Sequence, residues 1–137
     1  MNERGGGAMS VPGTLLVLAL LLAAGLGIDG VRKAQQLADA DAIAEESARA
    51  GAQQIDINEL RRGHLTLDTS RAVRAATRFA ELAEATATAE VTPNGRVRVR
   101  VILVRPSFIL GVLGVEALTS TGSAESAPLM IPSGGPR

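Results

Sequence analysis

Twenty consecutive residues, from Met9 to Ile28, carry no charge. As a helix rising ~1.5 Å per residue, such a run spans ~30 Å, the thickness of a bilayer's hydrocarbon core. It is too long and too uniformly apolar to belong to the core of a small domain. The rest of the fold must therefore begin where a membrane-spanning helix ends. Pro12 falls in the first turn of the expected helix, where a missing N–H costs little. Glu3 and Arg4 precede the run, and Asp29, Arg32 and Lys33 follow it. A cleaved signal peptide is the alternative, with Arg4 in its n-region and Ala23-Ala24-Gly25 as a small-residue cleavage site. The run continues past that site to Ile28 and enters helix-favouring sequence without a break, which favours a retained anchor. Charge alone does not place the N-terminus inside the cell, because Arg4 and the amino terminus are set against Arg32 and Lys33.

From Asp29 to about Ile55 the chain lacks proline and is rich in Ala, Gln, Glu, Leu and Arg, all good helix formers. One helix continuous with the span is expected. Its apolar stripe is read from Val31, Ala34, Leu37 or Ala38, Ile43 or Ala44, Ala48 and Ala52. Asp56 to Leu67 reads as a connector, and Asp68-Thr69-Ser70 offers N-cap residues for a second amphipathic helix over residues 71–85. Val73, Ala76, Phe79 or Ala80, and Leu82 or Ala83 are its expected inward residues.

The period then changes. Pro93-Asn94-Gly95 is a turn signal, since Pro sets the first bend and Asn-Gly accepts positive φ. Arg96-Val97-Arg98-Val99-Arg100-Val101 alternates with period 2, the mark of a half-buried strand with valines inward. Pro106 ends that strand. Phe108 to Val115 is a short apolar link, and Ala117 to about Ser123 is a third strand. The tail from Ala127, with Pro128, Pro132 and Pro136, reads as disordered. The fold class is α+β: a transmembrane helix running into a stalk helix, then a second helix and a three-stranded antiparallel sheet. Two helices on one sheet face would bury the valines, a pilin-like plan. The expected organisation is a tail over residues 1–8, a transmembrane helix over 9–28, an α+β domain over 29–126 and a disordered tail over 127–137.

Composition narrows the function. Net charge is zero, against the basic excess of a nucleic-acid binder. Cysteine is absent, which removes disulfides, thiol nucleophiles and zinc knuckles. Phe79 and Phe108 are the only aromatics, so the core rests on Ala, Val, Leu and Ile. His64, the only histidine, sits beside Arg61 and Arg62 with no obvious acidic partner in sequence; a catalytic or metal role needs convergent partners. Asp41 and Glu45, one turn apart, read as a solvated helix face, with Glu45 near Arg49 at i,i+4. No enzyme, cofactor, metal or small-molecule substrate is expected.

Two interaction surfaces stand out. Ala19, Ala23 and Gly27 repeat a small residue every fourth position, which lets helices approach closely in lipid; an alanine-rich chain also produces such spacing by chance. Arg96, Arg98 and Arg100 share one strand face, a possible basic contact for anionic lipid, wall polymer or an acidic partner. A solvated face that discourages edge aggregation is the plainer reading.

Several segments together resemble a known family. Arg4-Gly5-Gly6-Gly7 before the apolar run, the Gly27-Ile28-Asp29-Gly30 exit, and Gln35-Gln36-Leu37-Ala38-Asp39 leading into Ala48-Arg49-Ala50-Gly51-Ala52 are similar to TadE/TadG-type proteins of the tight-adherence (Flp) pilus, most nearly the actinobacterial branch. The resemblance implies a minor, membrane-anchored, pseudopilin-like structural subunit. Its domain would lie outside the cytoplasm and its partners would be membrane lipid and other pilin-like or pilus-assembly proteins. Pilin-type leaders place a glutamate five residues after a glycine cleavage site; from Gly7 that position is Pro12, so no prepilin-type cleavage is expected there. The alternative function is a tethered or secreted binding module whose arginine face holds an envelope ligand.

Overall fold

The computed structural model describes residues 7–106, Gly114 and residues 117–129. Three helices, α1 (Gly7–Ala52), α2 (Ile57–Arg61) and α3 (Thr69–Leu82), precede three strands, β1 (Thr86–Val91), β2 (Val97–Pro106) and β3 (Ala117–Ser126). The strands form one sheet in the order β1-β2-β3. β1 and β2 pair antiparallel, with Thr86 opposite Ile102 and Val91 opposite Val97. This is the expected α+β plan, with one helix long and apolar enough to cross a membrane. By contacts the chain divides into two units. One holds α1 as far as Ala34 with the described residues from Pro106 to Leu118; the other holds Gln35–Arg105 and the described residues from Thr119 onward.

In the first unit every residue from Val11 to Ala24 is exposed. Leu15, Leu16, Leu20 and Leu21 are each exposed by more than 60%. Gly25 and Asp29, one turn apart, are buried. Because α1 begins at Gly7, Pro12 lies in its second turn and not in the first as expected, so its missing N–H removes one intrahelical bond.

In the second unit the sequence dictates a close-packed sandwich of small helical residues on branched strand residues. β2 buries Val97, Val99, Val101 and Leu103, each at most 1% exposed, and alternates buried and exposed down to Val104. Each such side chain contributes ~1.5–3 kcal/mol of transfer free energy. The facing surfaces are alanine: Ala40, Ala44, Ala48 and Ala52 on α1, and Ala72, Ala76 and Ala80 on α3. Both runs repeat every fourth residue, so each makes a single ridge. Ala bears only a methyl group, which brings the helix axes close to the sheet and to each other. Two glycines complete the approach. A methyl group at Gly51 would lie 2.9 Å from the Ala72 carbonyl oxygen and 2.9 Å from Val97 Cγ1. One at Gly122 of β3 would run into the backbone of Ala40.

These ridges contain the expected Ala44, Ala48, Ala52, Ala76 and Ala80 and correct the remaining inward residues. Val31 is 60% exposed and Leu37 47%; the real α1 stripe is Gln36, Ala40, Ala44, Ser47, Ala48, Gly51 and Ala52. On α3, Phe79 is 39% exposed and Leu82 76%, while Ala72, Ala76 and Ala80 point inward. A large side chain on the inner face would force helix and sheet apart.

Local hydrogen bonds fix the connections. Asp56 caps α2 by accepting from the Asn58 and Glu59 amides, and Asp68 caps α3 by accepting from the Arg71 amide. The connector between them holds the short helix α2 and closes on itself. Ile55 bridges Leu67, the Asp56 amide donates to the Thr66 carbonyl, and the Asp68 amide donates to the Gln54 carbonyl. α3 ends in a Schellman motif, with the Ala85 amide donating to the Ala80 carbonyl and the Glu84 amide to the Glu81 carbonyl. Glu84 takes the left-handed position, φ 57°, where glycine is usual. The β1–β2 turn closes with the Gly95 amide donating to the Thr92 carbonyl, and Gly95 alone supplies the positive φ, at 70°. Residues 1–6, the apolar link at 107–113 and 115–116, and the tail from Met130 lie outside the described residues.

Candidate functional site

The outward face of the sheet carries the arginines read from the sequence. Glu90 and Arg98 are direct cross-strand neighbours, and Arg98 Nη1 lies 3.2 Å from Glu90 Oε1. Its Nη2 reaches Glu125 Oε2 of β3 at 3.3 Å, and Arg96 Nε lies 3.4 Å from Glu125 Oε1. Arg98 thus ties all three strands together. Exposed pairs of this kind contribute little stability each, but they favour one register. Arg100, opposite Thr88, forms no ion pair among the described residues. Two of the three arginines are therefore already neutralised by carboxylates of the same sheet.

Beyond Arg100 the same face turns apolar, with Ile102 41% and Val104 54% exposed. Arg105, beside them, pairs with Glu84 at 3.2 Å. On the inner side, Gln36 Nε2 donates to the Leu103 carbonyl at 2.8 Å and pins the end of β2 to α1.

Ala19, Ala23 and Gly27 are exposed on α1, with open space around Gly27. His64 is exposed in the connector, and its Nδ1 lies 3.5 Å from Glu59 Oε2. It does have an acidic neighbour, contrary to the expectation, and Arg62 shares that carboxylate at 2.6 Å. Arg49 pairs with Glu46 at 2.8 Å and not with Glu45. Among the described residues no group of three or more His, Cys, Asp or Glu side chains is placed to hold a metal ion.

One surface escaped the sequence reading. Arg71, Arg74 and Arg78 lie within about one-sixth of a turn on the outer side of α3, opposite its alanine ridge. All three are exposed, and none forms an ion pair among the described residues. The i,i+3,i+7 spacing was available in the sequence.

The arrangement offers surfaces for contact and a long apolar helix. A family model described as "Putative Tad-like Flp pilus-assembly" matches residues 23–126. The chain belongs to that Tad-like Flp pilus-assembly family. The match starts inside the apolar run and ends on the last residue of β3, so it takes in the end of the apolar helix and the entire α+β arrangement. No curated protein and no solved structure matches the chain significantly. As a member of the Tad-like family the chain is a pilus-assembly component.

Proposed function

We propose that the chain is a membrane-anchored, minor pilin-like structural subunit of a tight-adherence pilus or a related secretion apparatus, and that it acts by assembly and not by catalysis. The observation that carries this reading is the bare apolar surface of α1. Side chains from Val11 to Ala24 have no cover within the chain, and lipid is the solvent that suits them. The anchor runs without interruption into the helix that carries the Ala40–Ala52 ridge. The N-terminus lies in the cytoplasm and residues 29–126 lie outside. The Ala19, Ala23 and Gly27 ridge meets neighbouring spans in the membrane.

The basic strand face is a weaker basis for function. An envelope ligand at Arg96 and Arg98 would compete with Glu90 and Glu125, which already engage them. The test is detergent extraction from the native membrane followed by affinity isolation and identification of what travels with the chain. Other pilin-like proteins and the pilus-assembly membrane proteins are expected. Release of the chain by high salt or alkaline carbonate, with no such protein bound, would contradict the reading.

A further inference from the structure

Charges in the second unit are only partly matched, and Arg61, Arg100, Asp39 and Glu81 form no ion pair among the described residues. Arg49, Arg62, Arg96, Arg98 and Arg105 each have a carboxylate within ion-pair distance. Arg71, Arg74 and Arg78 on α3 have none among the described residues, and neither do Asp41 and Glu45 on α1 find a cation. Three of the unmatched arginines thus share one face of α3, with Glu81 at its end, and two of the unmatched carboxylates share one face of α1. All five side chains are exposed.

The spacing also corresponds. Asp41 and Glu45 are four residues apart, as are Arg74 and Arg78, so each pair lies ~6 Å along its helix. Two helices laid side by side can therefore match both charges at once. Arg71, Arg74 and Arg78, with Gln54 and Glu81, line an open groove on the outer side of α3. Within one molecule α3 turns its Ala72 and Ala76 ridge toward α1 at Gly51 and its arginines away, so the two charged faces do not meet.

We infer that the Arg74–Arg78 face of α3 docks on the Asp41–Glu45 face of α1 in a second copy of this chain. The contact is heterologous: each copy uses one face as donor and the other as acceptor, which leaves both ends open for further copies. Zero net charge means that no overall repulsion opposes the association. The inference deepens the reading of a pilus-assembly subunit by naming one partner, the chain itself.

The experiment measures self-association of the full chain in detergent micelles by sedimentation and by chemical crosslinking, with folding checked by circular dichroism. The double variant Arg74→Glu/Arg78→Glu and the double variant Asp41→Arg/Glu45→Arg should each associate at least about tenfold more weakly than the parent. An equal mixture of the two should recover association, because every contact then pairs opposite charges again. Arg74→Lys/Arg78→Lys should stay close to the parent. Raising salt from about 50 to about 500 mM should weaken the parent's association.

A parent that stays monomeric, variants that associate as the parent does, or a mixture that fails to recover although both variants are folded would overturn the inference. So would parent binding to vesicles of anionic lipid that is lost in Arg74→Glu/Arg78→Glu while self-association is unchanged; the face would then serve a membrane surface. Co-isolation with other pilus proteins is scored separately. If it survives in the charge variants while self-association never appears, the functional reading stands and this inference falls. If self-association follows the charges but no pilus protein co-isolates, the reverse holds.

Discussion

Gly122 in β3 presses its α-carbon against the backbone of Ala40 in α1, so closely that there is no room for a methyl group. The contact is backbone on backbone, and no side-chain rotation can relieve it. Gly122→Ala should destabilise the folded unit by ~3 kcal/mol, at the upper end of overpacking effects. Gly51→Ala meets the Ala72 carbonyl oxygen and a Val97 methyl at 2.9 Å; the valine can shift in part, so a smaller loss of ~1–2 kcal/mol is expected. Thermal or urea unfolding of the two variants checks the order. Equal, negligible effects would show that β3 does not lie on α1 this closely.

Ser47 is fully buried on the α1 ridge, and its Oγ has no hydrogen-bond partner among the described residues. A buried unpaired hydroxyl carries its desolvation cost without return. Ser47→Ala extends the alanine ridge and should raise stability by ~1 kcal/mol, measured as a shift in the urea midpoint at unchanged slope. A loss of stability would mean that the hydroxyl is bonded in solution.

Much of this fold was legible in the sequence because strands and turns announce themselves by period and residue type. The alternation from Arg96 to Val101 gave β2, its inner face and its arginine face. Pro93-Asn94-Gly95 gave the turn, and Asp68 gave the cap of α3. On the helices the inward alanines Ala44, Ala48, Ala52 and Ala76 were legible, but the large apolar residues beside them do not face inward. Where a helix must approach a sheet closely, the smallest residues face inward, and Val31, Leu37, Phe79 and Leu82 are left outside. At the candidate sites, the three arginines were legible but the pairing of Arg96 and Arg98 with carboxylates was not. Glu125 is 27 residues from Arg98, and only the sheet topology brings them together. The stripe of Arg71, Arg74 and Arg78 is legible in its i,i+3,i+7 spacing.

Glu84 holds the left-handed position that ends α3. Side chains there cost ~1–2 kcal/mol relative to glycine, and the pair with Arg105 is exposed and returns little. Glu84→Gly should therefore stabilise the domain by ~1 kcal/mol, despite the added freedom of the unfolded chain. A drop in the melting temperature would assign Arg105–Glu84 more weight than its exposure suggests.

Gly27 ends the small-residue ridge of the proposed span, with open space around it. Gly27→Leu keeps the span apolar, so insertion should be retained, while close approach of a second helix is blocked. Crosslinking to neighbouring membrane proteins should fall at matched expression, and Leu21→Ile, away from the ridge, should leave it unchanged. Normal assembly of Gly27→Leu would reduce the Ala19, Ala23 and Gly27 spacing to alanine-rich composition.

The central claim is an anchored subunit whose folded domain lies outside the cytoplasm, and one label tests it most directly. The chain has no cysteine, and Ser123 lies exposed on the outward face of β3. In the full-length chain carrying Ser123→Cys, a membrane-impermeant thiol reagent applied to intact cells should label the protein, and the labelled protein should stay in the membrane fraction after carbonate washing. Labelling only after lysis, or labelled protein released by the wash, would contradict the account.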